Sequence, residues 1–424
     1  MAWTLRHERV VLPGVLVLAL ALRVLYMALF VGLDSPPTYD GRRYDYFAVH
    51  ILAGEGYRTE FGPTASKPPL YPFFIAAVYR LFGPGNFVAV RLLQALIDSL
   101  SCILLFFLGK ALKSASVGLL AAVGAAFYPL SIYMSALLYP ETLFLFLLTA
   151  CLLVSVKVAR VGRCWAAGVC GILFGLSTLA RPNTIVFLPF ILVFPFFLQS
   201  RPQRAWRLVA VFLLAMVLTI LPWSIRNYLV FREFVPLTTE GGGVFWADNH
   251  PLAEGGTVIP GRETWQGDDP PDRLWSGWSE LGEPESSRRF FRAGLQWIRS
   301  HPIDFLALLP GKLGRLWSPA SFTTHSQRRA GPLTTLLWIP YLPFLLLVAA
   351  GIVGSLGRWR EWFLMYGLIL STNLTALVFA GGTRYLVPMS PALLVFCALG
   401  LSTVFLIVNG TFLGDDVRSP TPPA

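Results

Sequence analysis

Long apolar runs, separated by short charged segments, follow one another along most of the chain. An α-helix needs about 20 apolar residues to cross a bilayer. By that criterion the pattern predicts ten membrane spans. They are Val10–Val31, Phe87–Leu108, Val117–Met134, Thr142–Val158, Cys164–Leu179, Thr184–Leu198, Leu208–Ile225, Thr334–Gly354, Glu361–Phe379 and Tyr385–Val408. The predicted fold class is therefore an all-α polytopic membrane protein with about ten transmembrane helices, in a range of 9–13, forming a single domain over residues 1–424.

Two further apolar stretches do not fit a full span. Ile75–Phe82 is too short, and Ile303–Trp317 is amphipathic, with Lys312 and Arg315 on its polar side. Both are predicted to be juxtamembrane helices. The first apolar run continues past Arg23, so it is interpreted as an uncleaved span rather than a signal peptide.

The short connections predict the orientation. Lys and Arg are in excess in cytoplasmic loops. Here the connections that contain them alternate with connections that do not, as expected if all the basic connections lie on one side of the membrane. The predicted cytoplasmic positions are Arg6, Arg9, Lys110, Lys113, Lys157, Arg160, Arg163, Arg201, Arg204, Arg207, Arg358 and Arg360. Residues 34–86 and 226–332 then face out, with the shorter connections 135–141, 180–183 and 381–384. Both termini, including a short tail at 414–424, are predicted to be cytoplasmic.

Composition agrees with this assignment. The chain has 424 residues, of which 55% are hydrophobic and 13% charged, and its mean hydropathy is +0.61. A soluble domain carries about 25% charged residues, which excludes that class. The net charge of +11 is explained by the cytoplasmic loops, and no nucleic-acid motif is present. The five cysteines have neither metal-ligand nor disulfide spacing.

The first polar segment, residues 34–86, is the most informative. Thr38, after two prolines, is predicted to cap a short amphipathic helix whose first turn contains Asp40. Asp40, Arg43 and Tyr44 share one face of that helix, since residues three and four apart are neighbours. Lys67 follows, in a stiff Lys-Pro-Pro turn. The segment is predicted to be a catalytic loop.

Acids and bases recur at the outer ends of the predicted spans. Asp40 and Lys67 lie in the first loop, Glu141 in the second, Arg181 in the third, and Arg384 opens the last span. Cations at this level suit a lipid-linked phosphate, and a carboxylate among them suits a general base. Each also has a simpler interpretation. The arginines can extend to the lipid headgroups, and Glu141 can complement a helix N-terminus.

Other polar features have competing interpretations as well. Asp98, within the second span, is costly unless paired, and Arg23 is its predicted partner, more often structural than catalytic. The outer segment 226–332 is rich in tryptophan, which stacks on sugars but more commonly anchors at lipid headgroups. Its Gly241-Gly242-Gly243 run lacks the lysine of a nucleotide-binding loop.

A family resemblance becomes visible in the order of these motifs. They are Tyr39-Asp40, Arg43-Tyr44, Gly54, Gly56-Tyr57, Lys67-Pro68-Pro69-Leu70-Tyr71, Leu81-Phe82-Gly83, Arg91, Ala180-Arg181-Pro182 and Arg384-Tyr385 with Pro388. Together they resemble the GT-C glycosyltransferases, most closely the family of protein O-mannosyltransferases and lipid A aminoarabinose transferases. The resemblance covers nearly the whole membrane region and is strongest in the first loop.

The resemblance implies a transferase that takes a sugar from a polyprenyl-phosphate carrier on the outer face and inverts its anomeric centre. Asp40 matches the family's catalytic or acceptor-orienting acid, and Lys67 the lysine that contacts the donor phosphate. Two positions depart from relatives, which have a second acid where Gly41 stands and a Glu where Ser66 stands. A soluble C-terminal domain, present in the aminoarabinose enzymes, is not expected here. These departures leave the sugar, the acceptor and any metal dependence open.

The sequence therefore predicts a GT-C-like glycosyltransferase of the bacterial inner membrane. Its expected partners are a polyprenyl-phosphate sugar, with undecaprenyl phosphate as carrier, a lipid, glycan or protein acceptor, and membrane lipids. No cofactor is firmly implied, and a divalent metal is left open. A flippase for lipid-linked sugars is the alternative, and an inactive scaffold is a third. The site prediction is Asp40 as catalytic acid or base, Lys67, Arg43, Arg181 and Arg384 for the donor phosphate, and Tyr44, Glu141, Tyr385 and Asp45 in support.

Overall fold

The computed structural model describes residues 5–251, 253, 282–319, 332–379 and 381–408. These residues are almost entirely helical, apart from loops and a short antiparallel hairpin that pairs β1 (Arg58–Thr59) with β2 (Gly62–Pro63). A bilayer offers no partners for backbone N–H and C=O groups, so helices are the expected way for so apolar a chain to cross it.

The first half of the chain alternates long apolar helices with short connections. These helices are α1 (Leu5–Tyr26), α2 (Asp40–Leu52), α3 (Leu70–Phe82), α4 (Phe87–Leu112), α5 (Ala115–Ala126), α6 (Pro129–Ala136), α7 (Glu141–Val161), α8 (Cys164–Ala180), α9 (Leu188–Leu198) and α10 (Pro202–Phe231). A π-helical turn, Met27–Val31, extends α1, and a 3₁₀ segment, Pro182–Phe187, precedes α9.

The second half begins with helices outside the predicted spans and ends with apolar helices. They are α11 (Gly241–Ala247), α12 (Glu283–Ser300), α13 (Pro302–Trp317), α14 (Pro332–Ser355), α15 (Trp359–Val378) and α16 (Ser390–Val408). Two 3₁₀ segments, Leu356–Arg358 and Thr383–Met389, precede α15 and α16.

The apolar helices confirm a multi-pass membrane protein. Among the described residues, six segments are long and apolar enough to cross a bilayer, and the α5–α6 pair, bent by 48°, would make a seventh. The segment Trp338–Val378 contains two of the ten predicted spans, and Cys164–Ala180 and Pro182–Leu198 are shorter apolar helices. Each predicted span thus coincides with a helix or a pair of successive helices.

Glycines set how closely several of these helices approach. A Cβ on Gly118 of α5 would collide with the Phe106 carbonyl of α4, and one on Gly171 of α8 with the Phe212 carbonyl of α10. Between α14 and α16, a Cβ on Gly351 would collide with the Phe396 carbonyl. Small residues at such crossings let backbones touch, which is how helices pack where lipid supplies no hydrophobic driving force.

The bend between α5 and α6 is held by a charge inside the helix bundle. The Arg23 guanidinium donates to the carbonyls of Ala125 and Ala126, both at 3.2 Å, and so serves the last carbonyls of α5. Its Nε donates to Asp98 at 2.6 Å. Unpaired carbonyls at a helix break are costly in a membrane, so the predicted Arg23–Asp98 pair is present and has a structural task.

The first polar segment packs on itself before it reaches the site. Helices α2 and α3 bury Tyr44, Tyr71, Ile75 and Tyr79 against each other and against Leu138. Phe47, on the other side of α2, stacks on Tyr57 with ring centroids 4.7 Å apart. The apolar stripe of α2 therefore faces protein at these positions, which fixes the start of the helix.

Two local predictions need correction, and others concern residues outside the described parts of the chain. Thr38 does not cap α2, because the helix starts one residue later and its N-cap is Tyr39, at φ +48°. Lys312 does not lie on an exposed polar side of α13 but is fully buried. Trp265, Trp275, Trp278 and the tail 414–424 lie outside the described residues.

Candidate active site

Asp40 is the first residue of α2, so its carboxylate lies at the positive end of the helix dipole. Gly41 follows Asp40 in the first turn of α2. A Cβ on Gly41 would lie 3.1 Å from the Pro37 Cβ and 3.5 Å from the Leu138 carbonyl oxygen. The close approach of these two residues favours glycine at this position.

Asp40 and five other side chains, from five parts of the sequence in all, form a cluster in which acids and cations alternate. Lys67 Nζ lies 3.4 Å from one Asp40 oxygen, and Arg384 Nη1 donates to the other at 2.6 Å. Arg384 Nε also donates to Glu141, which accepts a second bond from Arg181 at 2.9 Å. At the other end, Lys67 donates to Glu240. We call this set, in the order Glu240, Lys67, Asp40, Arg384, Glu141 and Arg181, the charge chain.

Aromatic rings line the two arginines of the charge chain. The Arg384 guanidinium lies 4.5 Å from the Tyr139 ring centroid. That of Arg181 lies 5.7 Å from Tyr385 and 5.8 Å from Phe144. Rings at these distances attract a cation and exclude water from one side of it, so the guanidinium planes are held in fixed directions.

The charge chain fixes the ionisation of its members. Burial alone would raise the pKa of Asp40, but the adjacent Lys67 and Arg384 outweigh it and hold that pKa well below its usual range. Burial alone would lower the pKa of Lys67, and Asp40 and Glu240 reverse this and raise it. Burial also raises the pKa of Tyr44, beside them, to about 12. Asp40 is therefore a carboxylate, and Lys67 a cation, throughout the physiological range.

Two polar segments are joined where they supply Lys67 and Glu240. The backbone N–H of Thr239 donates to the Ala65 carbonyl at 3.0 Å, and the Thr238 hydroxyl donates to the Ser66 carbonyl at 2.8 Å. Glu283, at the start of α12, accepts bonds from the Ala65 N–H and the Thr239 hydroxyl, both at 2.9 Å. These bonds place Glu240 next to Lys67.

The predicted site residues divide into two groups. Asp40, Lys67, Glu141, Arg181 and Arg384 come together in the charge chain, with Tyr44 and Tyr385 beside it. The others lie further along α2. Arg43 is half-buried one turn after Asp40, and Asp45 accepts a bond from the Tyr79 hydroxyl at 2.6 Å, on the α3 side.

Glu240 is the member of the charge chain that the sequence did not predict. It lies in a polar segment of more than a hundred residues, where no helical or strand periodicity marks a functional position. A weak signal was present, because Glu240 directly precedes the Gly241-Gly242-Gly243 run. A Cβ on Gly242 would collide with the Ser287 carbonyl of α12, so this run is needed for close packing beside the site.

A second polar group lies at the other end of α11. Lys312 Nζ donates to Asn249 at 2.9 Å and to the Leu377 carbonyl at 3.2 Å. Asp248 is fully buried, and neither carboxylate oxygen has a hydrogen-bond partner among the described residues. Burial raises the pKa of Asp248 to about 7, with Lys312 and Arg315 opposing the rise.

The carboxylates of the site are poorly placed to act as metal ligands. Each carboxylate of the charge chain is already bonded to a cation. Within the described part of the chain, no group of three or more His, Cys, Asp or Glu side chains is arranged to hold a metal ion.

Comparisons with known proteins concern the fold and the residues around the first loop. A family model described as dolichyl-phosphate-mannose-protein mannosyltransferase matches residues 66–225. The oligosaccharyltransferase AglB from Archaeoglobus fulgidus, solved with an inhibitory peptide and a dolichol-phosphate, aligns over 98% of this chain at 14% identity and a TM-score of 0.57. The chain therefore shares the fold of this GT-C oligosaccharyltransferase. It spans about half of AglB, covering 53% of that protein.

Other GT-C structures align as well. The same archaeal enzyme in complex with Zn and sulfate aligns over 94% of this chain and 50% of its own length, with 14% identity and a TM-score of 0.59. ArnT from Cupriavidus metallidurans, bound to undecaprenyl phosphate, covers 97% of this chain and 82% of its own, with 17% identity and a TM-score of 0.44. No curated protein matches the sequence significantly.

Proposed function

We propose that this protein is an integral-membrane glycosyltransferase of the GT-C superfamily. It moves a sugar from a polyprenyl-phosphate donor to a lipid, glycan or protein acceptor on the outer face of a bacterial inner membrane, with inversion. The observation that carries the proposal is the Asp40 carboxylate held between Lys67 and Arg384. The match to a mannosyltransferase family model over residues 66–225, which include Lys67, supports it.

The proposed reaction is a single displacement. The acceptor oxygen attacks the anomeric carbon, the bond from that carbon to the phosphate oxygen breaks, and the electron pair leaves on the polyprenyl phosphate. The acceptor proton passes to Asp40 or, for an acidic acceptor, is already absent. Lys67 and Arg384 stabilise the negative charge that grows on the phosphate, and fixed charges in a water-poor site are usually the largest contribution to the rate.

The low pKa of Asp40 restricts its role. A general base works best when its pKa is near the working pH, and the two cations hold Asp40 far below that. In this arrangement Asp40 is an ionised carboxylate, which accepts a hydrogen bond from the hydroxyl of the sugar acceptor and so orients it. It becomes a stronger base once a donor phosphate shares Lys67 and Arg384, because their charge then compensates two anions.

Topology supports a site on the outer side. Charged residues of the connections Lys110–Lys113 and Arg358–Arg360 lie at the ends of helices opposite the charge chain, as the positive-inside rule requires for a cytoplasmic face. The outer segment 226–332 then takes part in substrate binding through Glu240. Both termini are proposed to be cytoplasmic.

The test is transfer by the purified full chain in detergent. Radiolabelled polyprenyl-phosphate sugars serve as donors and a membrane extract as acceptor, and label leaving the polyprenyl lipid is measured. Transfer by the wild type, with inversion seen by NMR of the product, supports the proposal. Label that crosses a liposome membrane without leaving its carrier would overturn it in favour of a flippase.

A further inference from the structure

The charge chain has no net charge. It contains three carboxylates and three cations, and each cation is bonded to at least one carboxylate. A polyprenyl phosphate that enters this set adds negative charge to a neutral cluster. Since like charges at such distances repel strongly in a partly buried site, one resident carboxylate has to give up its cation.

The contacts indicate which carboxylate gives way. Asp40 is bonded to Lys67 and Arg384, and Glu141, which is 1% exposed, to Arg384 and Arg181. Within the charge chain Glu240 is bonded to Lys67 alone, which distinguishes it from Asp40, whose side chain is equally exposed at 30%. Glu240 also lies in a connection before a short helix, whereas Glu141 opens a spanning helix.

We propose that Glu240 is a resident counter-ion of the donor site. In the absence of ligand its carboxylate occupies, on Lys67, the position that the phosphate of a polyprenyl-phosphate ligand takes. The phosphate displaces it on binding, and Glu240 returns when the product leaves. This inference rests on the proposed function, because it requires that Lys67 binds the phosphate.

The exchange has a consequence for product release. A sugar-linked phosphodiester carries one negative charge, whereas the product, a phosphate monoester, carries about −1.5 to −2 at neutral pH. Lys67 alone would hold the more charged product more tightly than the donor. Competition from Glu240 weakens the binding of both the donor and the product to Lys67, and so limits how strongly the product is retained.

The experiment measures binding of undecaprenyl phosphate to the full-length protein in detergent, by intrinsic fluorescence or native mass spectrometry. In Glu240→Gln the amide keeps the shape but loses the charge, and we expect affinity to increase about three- to tenfold. Glu233→Gln is the matched control. It removes the same charge from the same connection, at the exposed pair with Arg288, and should leave affinity unchanged.

A double-mutant cycle assigns the effect to Lys67. In a Lys67→Gln background, binding should weaken, and Glu240→Gln should then no longer strengthen it. Glu240→Asp, which withdraws the carboxylate from Lys67, should give an intermediate affinity and serves if Glu240→Gln does not elute as a folded protein in gel filtration.

The outcomes separate the two proposals. If the wild type binds undecaprenyl phosphate and Glu240→Gln binds it equally or more weakly, the counter-ion role is wrong and the proposed function stands. If neither the wild type nor any variant binds the lipid, both are overturned. If Glu233→Gln increases the affinity for undecaprenyl phosphate as much as Glu240→Gln does, the effect is a general one of net charge, and the inference is rejected.

Discussion

Arg384 donates a hydrogen bond to Asp40 across 344 residues of sequence, at 2.6 Å. Arg384 precedes the last described helix, and Asp40 begins the first helix after the first predicted span. The same guanidinium reaches Glu141 through Nε. One side chain thereby joins the first polar loop, the start of α7 and the start of the last predicted span.

Replacing Asp40 tests the chemical role of this contact. Asp40→Asn keeps the shape but removes the charge that orients the acceptor, so we expect transfer to fall by about 10²–10⁴. Binding of undecaprenyl phosphate should be retained. The measurement is label transfer beside lipid binding, with Glu55→Gln, an exposed acid of the same loop, as control. Full transfer by Asp40→Asn would exclude Asp40 from the reaction.

Arg384→Lys tests whether geometry matters beyond charge. Arginine presents separate N–H groups to Asp40 and Glu141, whereas an ammonium is a compact charge on a flexible stem. We expect Arg384→Lys to lower the rate of transfer at least about tenfold. Arg358→Lys, at an exposed pair with Glu361, is the matched change and should have little effect. Wild-type rates in Arg384→Lys would mean that charge alone is sufficient.

The buried Arg23–Asp98 pair predicts an unusual stability result. Removing one partner of a buried pair costs about 3–5 kcal/mol, so Arg23→Leu and Asp98→Leu should each lower the unfolding temperature in detergent. Replacing a whole buried pair by apolar residues is often neutral. Here Arg23 also serves the carbonyls of Ala125 and Ala126, so the double variant should remain less stable than the wild type. A double variant of wild-type stability would contradict the helix-end role.

Asp248 predicts a pH dependence of stability. Its folded pKa, about 7, lies above the ordinary value of about 3.9. The folded state therefore binds more protons between those limits, and the contribution of Asp248 to stability falls as pH rises from about 4 to 7. Relative to the wild type, Asp248→Asn should become more stable as pH rises from about 5 to 8. Unfolding temperatures at several pH values test this, and a constant difference between the two proteins would contradict it.

Much of the fold follows from hydrophobic periodicity. Run length placed a helix or a pair of successive helices at each predicted span, because an apolar run of about 20 residues has few stable arrangements other than a membrane helix. Among the described residues, six segments, or seven with the bent pair, are long and apolar enough to cross a bilayer. The same regularity brought Lys67, Arg181 and Arg384 to one level, since residues at successive outer ends of spans must lie near one plane. Their roles in binding remain a prediction.

The remaining features depend on contacts that no local pattern records. Glu240 reaches Lys67 through bonds between two polar connections, and neither connection has a periodicity of its own. Lys312 looked like a polar residue of an amphipathic helix, yet it is buried, and Asn249 and the Leu377 carbonyl accept its hydrogen bonds. The N-cap at Tyr39 rather than Thr38 likewise depends on the Tyr39 backbone, which has a positive φ of 48°.

The order of the charge chain along the sequence bears on how the protein is made. During synthesis Asp40, Lys67, Glu141, Arg181 and Glu240 all emerge before Arg384, so the growing chain carries three of these acids against two cations. Neutrality is reached only when the segment that begins at Arg384 enters the membrane. A chain stalled before that point lacks Arg384, so the contacts that join Asp40 to Glu141 cannot form.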